Sequence, residues 1–221
     1  MRALRAVLWD MDGTLVDSEE LHWLSWRDTM ADEGIAITHD QFLSSFGQRN
    51  DSIIPLWLGA AATPERTRKI EAAKEERFRR LVRDTGVLAL PGALDWVNRL
   101  REGAWLQAVA SSAPRANVDA VLEVMGVASS FQGIVSAEDV HRGKPDPEVF
   151  LLAASRLGLK PERCIVVEDA AAGLEGARRA GMRSIGVSRS VPQLAADIVV
   201  TSLDLLEADA FDKLAPRKPG S

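Results

Sequence analysis

Two aspartates separated by one residue, Asp10 and Asp12, directly follow the apolar run formed by residues 6–9. Such a run predicts a buried strand, and in extended backbone residues two apart point to the same side. Gly13 then allows a sharp turn. Two carboxylates at one strand end repel each other unless a cation compensates, and Mg²⁺ prefers oxygen ligands of this kind. The alternative is a polar strand end before a turn, but three stretches downstream favour the metal.

The chain from residue 89 onwards alternates between strand and helix patterns. Further strands are predicted over 106–110, 133–135, 164–167, 184–187 and 198–200, with helices between most of them. This alternation predicts an α/β fold, a Rossmann-like parallel sheet core with helices on both faces. In such sheets ligands collect at the carboxyl ends of the strands.

Residues 18–88 show helical patterns and no convincing strand. Helices are predicted over 19–34, 39–46 and 50–60, and a long charged helix is expected to begin at Thr63-Pro64. Asp17 or Ser18 is expected to cap the first of them. We therefore predict an inserted all-helical cap domain, 18–88, and an α/β catalytic core of 1–17 and 89–214. Residues 215–221 have the composition of a disordered tail.

The composition of the 221 residues is ordinary, with 46% hydrophobic and 27% charged side chains. The formal net charge of −5 argues against a nucleic-acid partner. No apolar run could span a bilayer, and the basic N-terminus does not lead into a signal peptide, so we expect no membrane partner and a cytoplasmic location. The single cysteine, Cys164, lies in a predicted buried strand. We expect a monomer or a weak homo-oligomer.

The predicted strand ends, together with one loop that introduces a helix, gather carboxylates, hydroxyls and one ammonium at a single edge of the sheet. Carboxylates can hold Mg²⁺ and leave one free as a nucleophile, while hydroxyls, the lysine and backbone amides can bind phosphoryl oxygens. This set predicts phosphoryl transfer through an aspartyl-phosphate. Its members are Asp10, Asp12, Ser111, Ser112, Lys144, Glu168 and Asp169.

Four of these residues also have a structural alternative. Ser111 could cap the following helix, and Lys144 taken alone could be an ordinary surface lysine. Glu168 and Asp169 could cap a helix, but two adjacent acids directly on a strand end favour a metal.

In this order along the chain, the motifs resemble the haloacid dehalogenase superfamily. The closest resemblance is to its β-phosphoglucomutase-like branch, whose helical cap is inserted directly after the first motif. The motifs that carry it are Asp10-Met11-Asp12-Gly13-Thr14, Ser111, Lys144-Pro145-Asp146-Pro147, and Glu168-Asp169 followed by Gly173, Gly176 and Gly181.

The resemblance implies a role for each motif. Asp10 would be the nucleophile and Asp12 the general acid and base. Mg²⁺ would be bound by the Asp10 side chain, the Asp12 backbone carbonyl and Asp169, with Glu168 contacting it directly or through water. Phosphate would be bound by Ser111, Ser112 and Lys144.

The resemblance also extends to three cap residues. His22, four residues before Trp26, matches a histidine that positions the general acid, and Arg49 matches a cap arginine that contacts substrate. Lys74 aligns with a cap lysine that reaches the substrate. The alternatives are a surface or core histidine and ordinary surface cations.

One stretch departs from the mutase pattern. Ala113 and Pro114 stand where the mutase carries polar residues that hold a second phosphate, although Arg115 could compensate. We therefore predict a Mg²⁺-dependent phosphatase acting on a small phosphorylated metabolite, a sugar phosphate. The alternatives are a β-phosphoglucomutase-type hexose-phosphate mutase and a non-catalytic phosphate-binding protein. A nicotinamide-binding protein is disfavoured, because no G-x-G-x-x-G follows a strand.

Overall fold

A computed structural model describes residues 4–45, 48–188 and 194–215. Its strands are β1 (Ala6–Trp9), β2 (Val16–Asp17), β3 (Leu88–Ala89), β4 (Leu106–Ala110), β5 (Gly133–Val135), β6 (Cys164–Glu168), β7 (Arg183–Val187) and β8 (Ile198–Val200). Its helices are α1 (Glu19–Asp32), α2 (His39–Ser45), α3 (Asn50–Leu58), α4 (Pro64–Thr85), α5 (Ala93–Glu102), α6 (Arg115–Val124), α7 (Glu148–Arg156), α8 (Ala171–Arg179) and α9 (Ala210–Leu214). Of the tail predicted to be disordered, 216–221 lie outside the described residues.

Six parallel strands form the main sheet, in the order β5-β4-β1-β6-β7-β8. Strand β1 alternates between its two faces, as a strand must. Val7 and Trp9 belong to the core cluster that α5 and α6 complete, whereas Ala6 and Leu8 belong to the cluster on the opposite side with α7 and α8. The predicted Rossmann-like parallel sheet with helices on both faces is confirmed.

Helices α1 to α4 all lie between β2 and β3 and form the inserted cap. They have an apolar cluster of their own, which includes Trp26, Met30, Phe42 and Ile54. The predicted start of the long helix α4 is confirmed, because the Thr63 hydroxyl accepts a hydrogen bond from the Arg66 amide at 3.2 Å. The boundaries of the two domains stay a prediction.

The short antiparallel pair of β2 and β3 lies where the chain leaves the core for the cap and returns from it. Val16 pairs with Ala89, and Asp17 pairs with Leu88. No strand is predicted here from the sequence, because two residues are too few to show an alternating pattern. The pair ties the two connections between core and cap to each other.

None of the helices in the described ranges is long and apolar enough to cross a membrane. The Cys164 thiol is buried in β6, as predicted, and burial raises its pKa to about 12. The location in the cell and the oligomeric state stay predictions.

Candidate active site

Asp10 and Asp12 follow β1 at the centre of the sheet, with the fully buried Met11 between them. This alternation sends Met11 into the core and leaves both aspartates at the carboxyl edge. Gly13 has a φ of +83°, and a Cβ at this position would overlap the Asp169 carboxylate. Only glycine therefore permits both the turn after Asp12 and the close approach of Asp169.

Three carboxylates from two adjacent strand ends form what we call the acidic cluster: Asp10, Glu168 and Asp169. One oxygen of each lies within 4.8 Å of the others. The Lys144 ammonium donates to Asp10 Oδ1 at 2.5 Å and to Glu168 Oε2 at 2.7 Å. Gly173 leaves the space that Glu168 occupies, since a Cβ there would overlap its carboxylate. The cluster thus combines three acids with one ammonium.

Burial, together with this excess of negative charge, raises the pKa values of two carboxyl groups in the cluster. Burial, and then the charge of Glu168, raises the pKa of Asp10 well above its ordinary value, and Lys144 offsets this only in part. Burial and Glu168 also raise the pKa of Asp169 to about 7. Burial favours a neutral Lys144, but the carboxylates of Asp10 and Glu168 outweigh it and raise the Lys144 pKa.

A hard divalent cation fits this donor set. Mg²⁺ takes oxygen ligands and is usually held by one or two carboxylates together with a phosphate and water. The acidic cluster offers three carboxylates at one point, and an added cation would relieve the repulsion that raises the pKa values of Asp10 and Asp169.

Asp12 has a different environment, on the side of the cap. Its Oδ1 accepts a hydrogen bond from the Ser18 hydroxyl at 2.5 Å and lies 3.4 Å from His22 Nε2. Burial opposes ionisation of Asp12, but the hydrogen bonds from His22 and Ser18 outweigh it and lower the Asp12 pKa. Ser18 stands at the N-cap position of α1, yet its side chain makes no cap bond.

His22 is held between the cap and Asp12. Its ring stacks on Phe78, with the centroids 4.0 Å apart, and its Nδ1 lies 3.0 Å from Lys74 Nζ. Burial and the Lys74 ammonium lower the pKa of His22, so the neutral imidazole is favoured. A protonated lysine only donates, so the Nδ1 atom of His22 accepts and its Nε2 carries the proton that faces Asp12.

A cavity of about 710 Å³ lies between the cap and the core. Asp12, Asp169 and Ser112 line its core side. The three predicted cap residues all line the cavity as well: His22, Arg49 and Lys74.

The family model of the haloacid dehalogenase-like hydrolases matches residues 4–181. The chain belongs to this family. Beta-phosphoglucomutase of Bacillus subtilis is 31% identical over 206 residues, which cover 89% of each chain. Hexitol phosphatase B of Escherichia coli is 33% identical over 215 residues, which cover 94% of this chain and 96% of the relative.

Two further comparisons extend this picture. The chloroplastic protein SUPPRESSOR OF QUENCHING 1 of Arabidopsis thaliana is 35% identical over 195 residues; these are 85% of this chain but only 18% of that much longer protein. The crystal structure of CbbY from Rhodobacter sphaeroides in complex with phosphate superposes with a TM-score of 0.85 at 28% identity, covering 95% of this chain and 100% of that one.

In this member of the family, several predicted residues make contacts that the sequence did not indicate. Ser111 is buried outside the cavity lining, and its hydroxyl accepts a hydrogen bond from the Ala113 amide at 3.0 Å. Arg49 pairs with Asp51 at 3.1 Å. Ser112 lines the cavity, whereas Ser111, like Asp10 and Lys144, is not among the described lining residues. Binding of phosphate by Ser111 stays a prediction.

The polar residues around Lys74 are not predicted from the sequence. Glu75 accepts from Lys74 and from Asn50, and Asn117 of α6 donates to the second oxygen of Glu75. One sequence feature could have indicated them: Glu75 and Asn117 stand at positions of α4 and α6 whose neighbours on the buried face are mostly apolar. Neither belongs to a motif, and the two lie 42 residues apart.

Proposed function

We propose that the chain is a Mg²⁺-dependent phosphatase that hydrolyses the monophosphate of a sugar or a related polyhydroxyl metabolite through an aspartyl-phosphate. The observation that carries this proposal is the contact of Asp10 with Lys144 inside the acidic cluster. The pKa of Asp10 is raised, whereas that of Asp12, two residues further on, is lowered. Acid–base pairs whose environments separate their pKa values are typical of catalytic sites.

In the first step, an Asp10 carboxylate oxygen attacks phosphorus and forms the new P–O bond. The bond from phosphorus to the substrate oxygen breaks, and that oxygen takes a proton from Asp12, so the free sugar leaves as a neutral alcohol. Ser18 and His22 hold the Asp12 side chain by its Oδ1. The site can therefore keep the Asp12 carboxyl in one orientation for this transfer.

In the second step, water attacks the aspartyl-phosphate at phosphorus. Asp12, now ionised, takes the proton of this water, the P–O bond to Asp10 breaks, and orthophosphate leaves. The same Asp12 thus serves first as acid and then as base. Its lowered pKa suits the base role, whereas the acid role requires Asp12 to keep until the next turnover the proton that it takes from water.

Positive charge around the transferred phosphoryl group would come from two sources. Lys144, held against Asp10, would bind a phosphoryl oxygen and lower its repulsion from the attacking carboxylate. Mg²⁺, bound by Asp10, Asp169 and the Asp12 carbonyl with Glu168 nearby, would supply electrostatic stabilisation of the transferring group when present. Ser111 and Ser112 would contribute hydroxyls, that of Ser112 from the cavity wall.

The cap side of the cavity favours a hydroxyl-rich group over a second phosphate. Its described lining includes the carboxylates Glu19, Asp51 and Glu71. The cations Arg49 and Lys74 also line it, but Arg49 is paired with Asp51 and Lys74 with its sequence neighbour Glu75. Carboxylates accept hydrogen bonds from hydroxyls and repel phosphate, which supports a monophosphate as substrate.

The second candidate is a hexose-phosphate mutase. It is favoured by the positions of His22, Arg49 and Lys74 in the cavity lining and by the similarity to beta-phosphoglucomutase. It needs donors for a second phosphate. Ala113 and Pro114 offer no side-chain donor, and Arg115 is exposed and pairs with Asp119 at 2.9 Å.

The test is release of inorganic phosphate from a panel of hexose, pentose and hexitol monophosphates, with Mg²⁺ and with EDTA. We expect steady turnover with Mg²⁺ and none with EDTA. Conversion of β-glucose 1-phosphate to glucose 6-phosphate with a bisphosphate primer, without phosphate release, would favour the mutase. Absence of turnover on the whole panel and on an aryl phosphate would leave only a phosphate-binding protein.

A further inference from the structure

Glu75 is a buried carboxylate that contacts both the cap and the core. It lies on α4 of the cap and is 5% exposed. Its Oε1 accepts from Lys74 Nζ at 2.8 Å and from Asn50 Nδ2 at 2.6 Å, both within the cap. Its Oε2 accepts from the side-chain amide of Asn117, which belongs to α6 of the core.

Both polar atoms of the Asn117 side chain form hydrogen bonds to the cap. Asn117 is fully buried, and its Oδ1 accepts from the Arg79 guanidinium, one turn further along α4, at 3.0 Å. A carboxylate and a guanidinium of the cap thus enclose one core amide. This set of bonds is complete only when the cap lies on the core as it does here.

Lys74 connects Glu75 to the catalytic side. It is 2% exposed, and its ammonium lies between Glu75 Oε1 and His22 Nδ1. A buried ammonium without a carboxylate partner is strongly unfavourable. Burial opposes ionisation of Glu75, but the adjacent Lys74 ammonium outweighs that penalty. The Glu75 pKa is therefore lowered, and its carboxylate stays charged. Glu75 therefore fixes where the Lys74 ammonium lies.

We propose that Glu75 is a positioning residue that couples the seating of the cap on the core to the orientation of Asp12, through Lys74 and His22. With Lys74 held by Glu75, the Nδ1 atom of His22 must accept, and its Nε2–H faces Asp12. Asn117 links this arrangement to the core. The role of Asp12 rests on the proposed phosphatase, whereas the control of the His22 tautomer does not.

The direct test is the tautomer of His22 by long-range ¹H–¹⁵N correlation spectroscopy on the full chain without substrate. The chain has only three histidines, and a His22→Gln spectrum assigns the signals. We expect the Nε2–H tautomer of His22 in the wild type. In Glu75→Gln we expect a mixture of tautomers, because the Lys74 ammonium is no longer fixed against His22 Nδ1. Glu76→Gln, at the exposed next position of the same helix, should match the wild type.

The kinetic test compares the same proteins on the best substrate of the phosphatase panel. Glu75→Gln should lower kcat at saturating substrate by about 10-fold or more. Because Glu75 and Lys74 both line the cavity, KM should rise as well, and the loss that saturating substrate does not restore is the part that reports on Asp12. Asn117→Ala removes the core donor to Glu75 and the core acceptor for Arg79 but leaves the contact between Glu75 and Lys74, so it should shift both tautomer and kcat in the same direction by less. It also serves if Glu75→Gln does not fold.

The two readouts separate the possible failures. A wild-type tautomer and a kcat within twofold in both variants would overturn the coupling. A lower melting temperature with an unchanged tautomer, and a rate that follows only the folded fraction, would also overturn it. A shifted tautomer in a protein that hydrolyses no phosphate ester would support the coupling and refute the phosphatase.

Discussion

Asp10 and Asp12 are two residues apart, yet their surroundings differ in charge and in origin. Asp10 lies among two further carboxylates and one ammonium, and its pKa is raised by burial and by Glu168. Asp12 receives hydrogen bonds from Ser18 and His22 that outweigh burial and lower its pKa. The balance of acids and donors around each aspartate therefore separates a site for a cation and phosphate from a site for a proton.

The two environments also come from different parts of the chain. The acidic cluster and Lys144 belong entirely to the core. The surroundings of Asp12 include His22 from the cap, and behind it Lys74 and Glu75. The cluster around Asp10 is thus complete in the core alone, whereas the partners of Asp12 come from the start of the cap.

The largest expected effect belongs to the nucleophile. Asp10→Asn should lower kcat by more than about 10⁴-fold, because the amide cannot attack phosphorus. Phosphate release with Mg²⁺ measures this loss. The melting temperature of the metal-free variant should equal or exceed that of the wild type, because one of three mutually repelling carboxylates is removed. A rate within tenfold of the wild type would show that Asp10 is not the nucleophile.

The second effect separates the roles of the two aspartates. Asp12→Asn should lower kcat on a sugar phosphate by about 10²–10⁴-fold, the usual contribution of a general acid and base. Formation of the aspartyl-phosphate from an aryl phosphate should suffer less, because an aryloxide leaves without a proton. Rapid-quench measurement of the released phenol tests this. Equal losses on both substrates would argue against proton transfer by Asp12.

The third effect concerns stability against pH. In protein stripped of metal, the free energy of unfolding should fall by a few kcal/mol as pH rises from about 4 to about 7. The pKa of Asp169 is raised from 3.8 to about 7, so within this range the folded state keeps a proton that the unfolded chain has lost. Its stabilising contribution is full below the unfolded value and lost as pH rises through the folded value.

Urea unfolding at several pH values measures this slope. Saturating Mg²⁺ and the Asp169→Asn variant should each flatten it, and Asp84→Asn, at an exposed position of α4, should leave it unchanged. A slope that Mg²⁺ does not affect would separate the raised pKa of Asp169 from metal binding.

The smallest expected effect is at Arg115. Because Arg115 is exposed, pairs with Asp119 and does not belong to the described cavity lining, Arg115→Ala should change kcat and KM by less than about twofold. Steady-state kinetics on the best monophosphate check this. A KM raised tenfold or more would indicate that Arg115 binds the substrate. It would then favour the hexose-phosphate mutase, which needs a donor for a second phosphate.

The difference between the two regions also explains what the sequence could predict. Asp10, Lys144, Glu168 and Asp169 follow from buried strands and ordered motifs, because parallel strand ends meet at one edge of a sheet. The contacts of Asp12 depend on how a separate helical unit lies on the core. Ser18 could be recognised only as a possible helix cap, and Asn117 had no motif at all, so their roles required coordinates.

Transfer of the phosphoryl group to one identified carboxylate is the most direct test of the account. The Asp12→Asn variant, mixed with Mg²⁺ and an aryl phosphate and quenched in acid, should accumulate a phosphorylated chain. Peptide mass spectrometry should place one phosphoryl group on Asp10. Turnover without any phosphorylated residue, or a phosphoryl group on another side chain, would contradict the division of roles between Asp10 and Asp12.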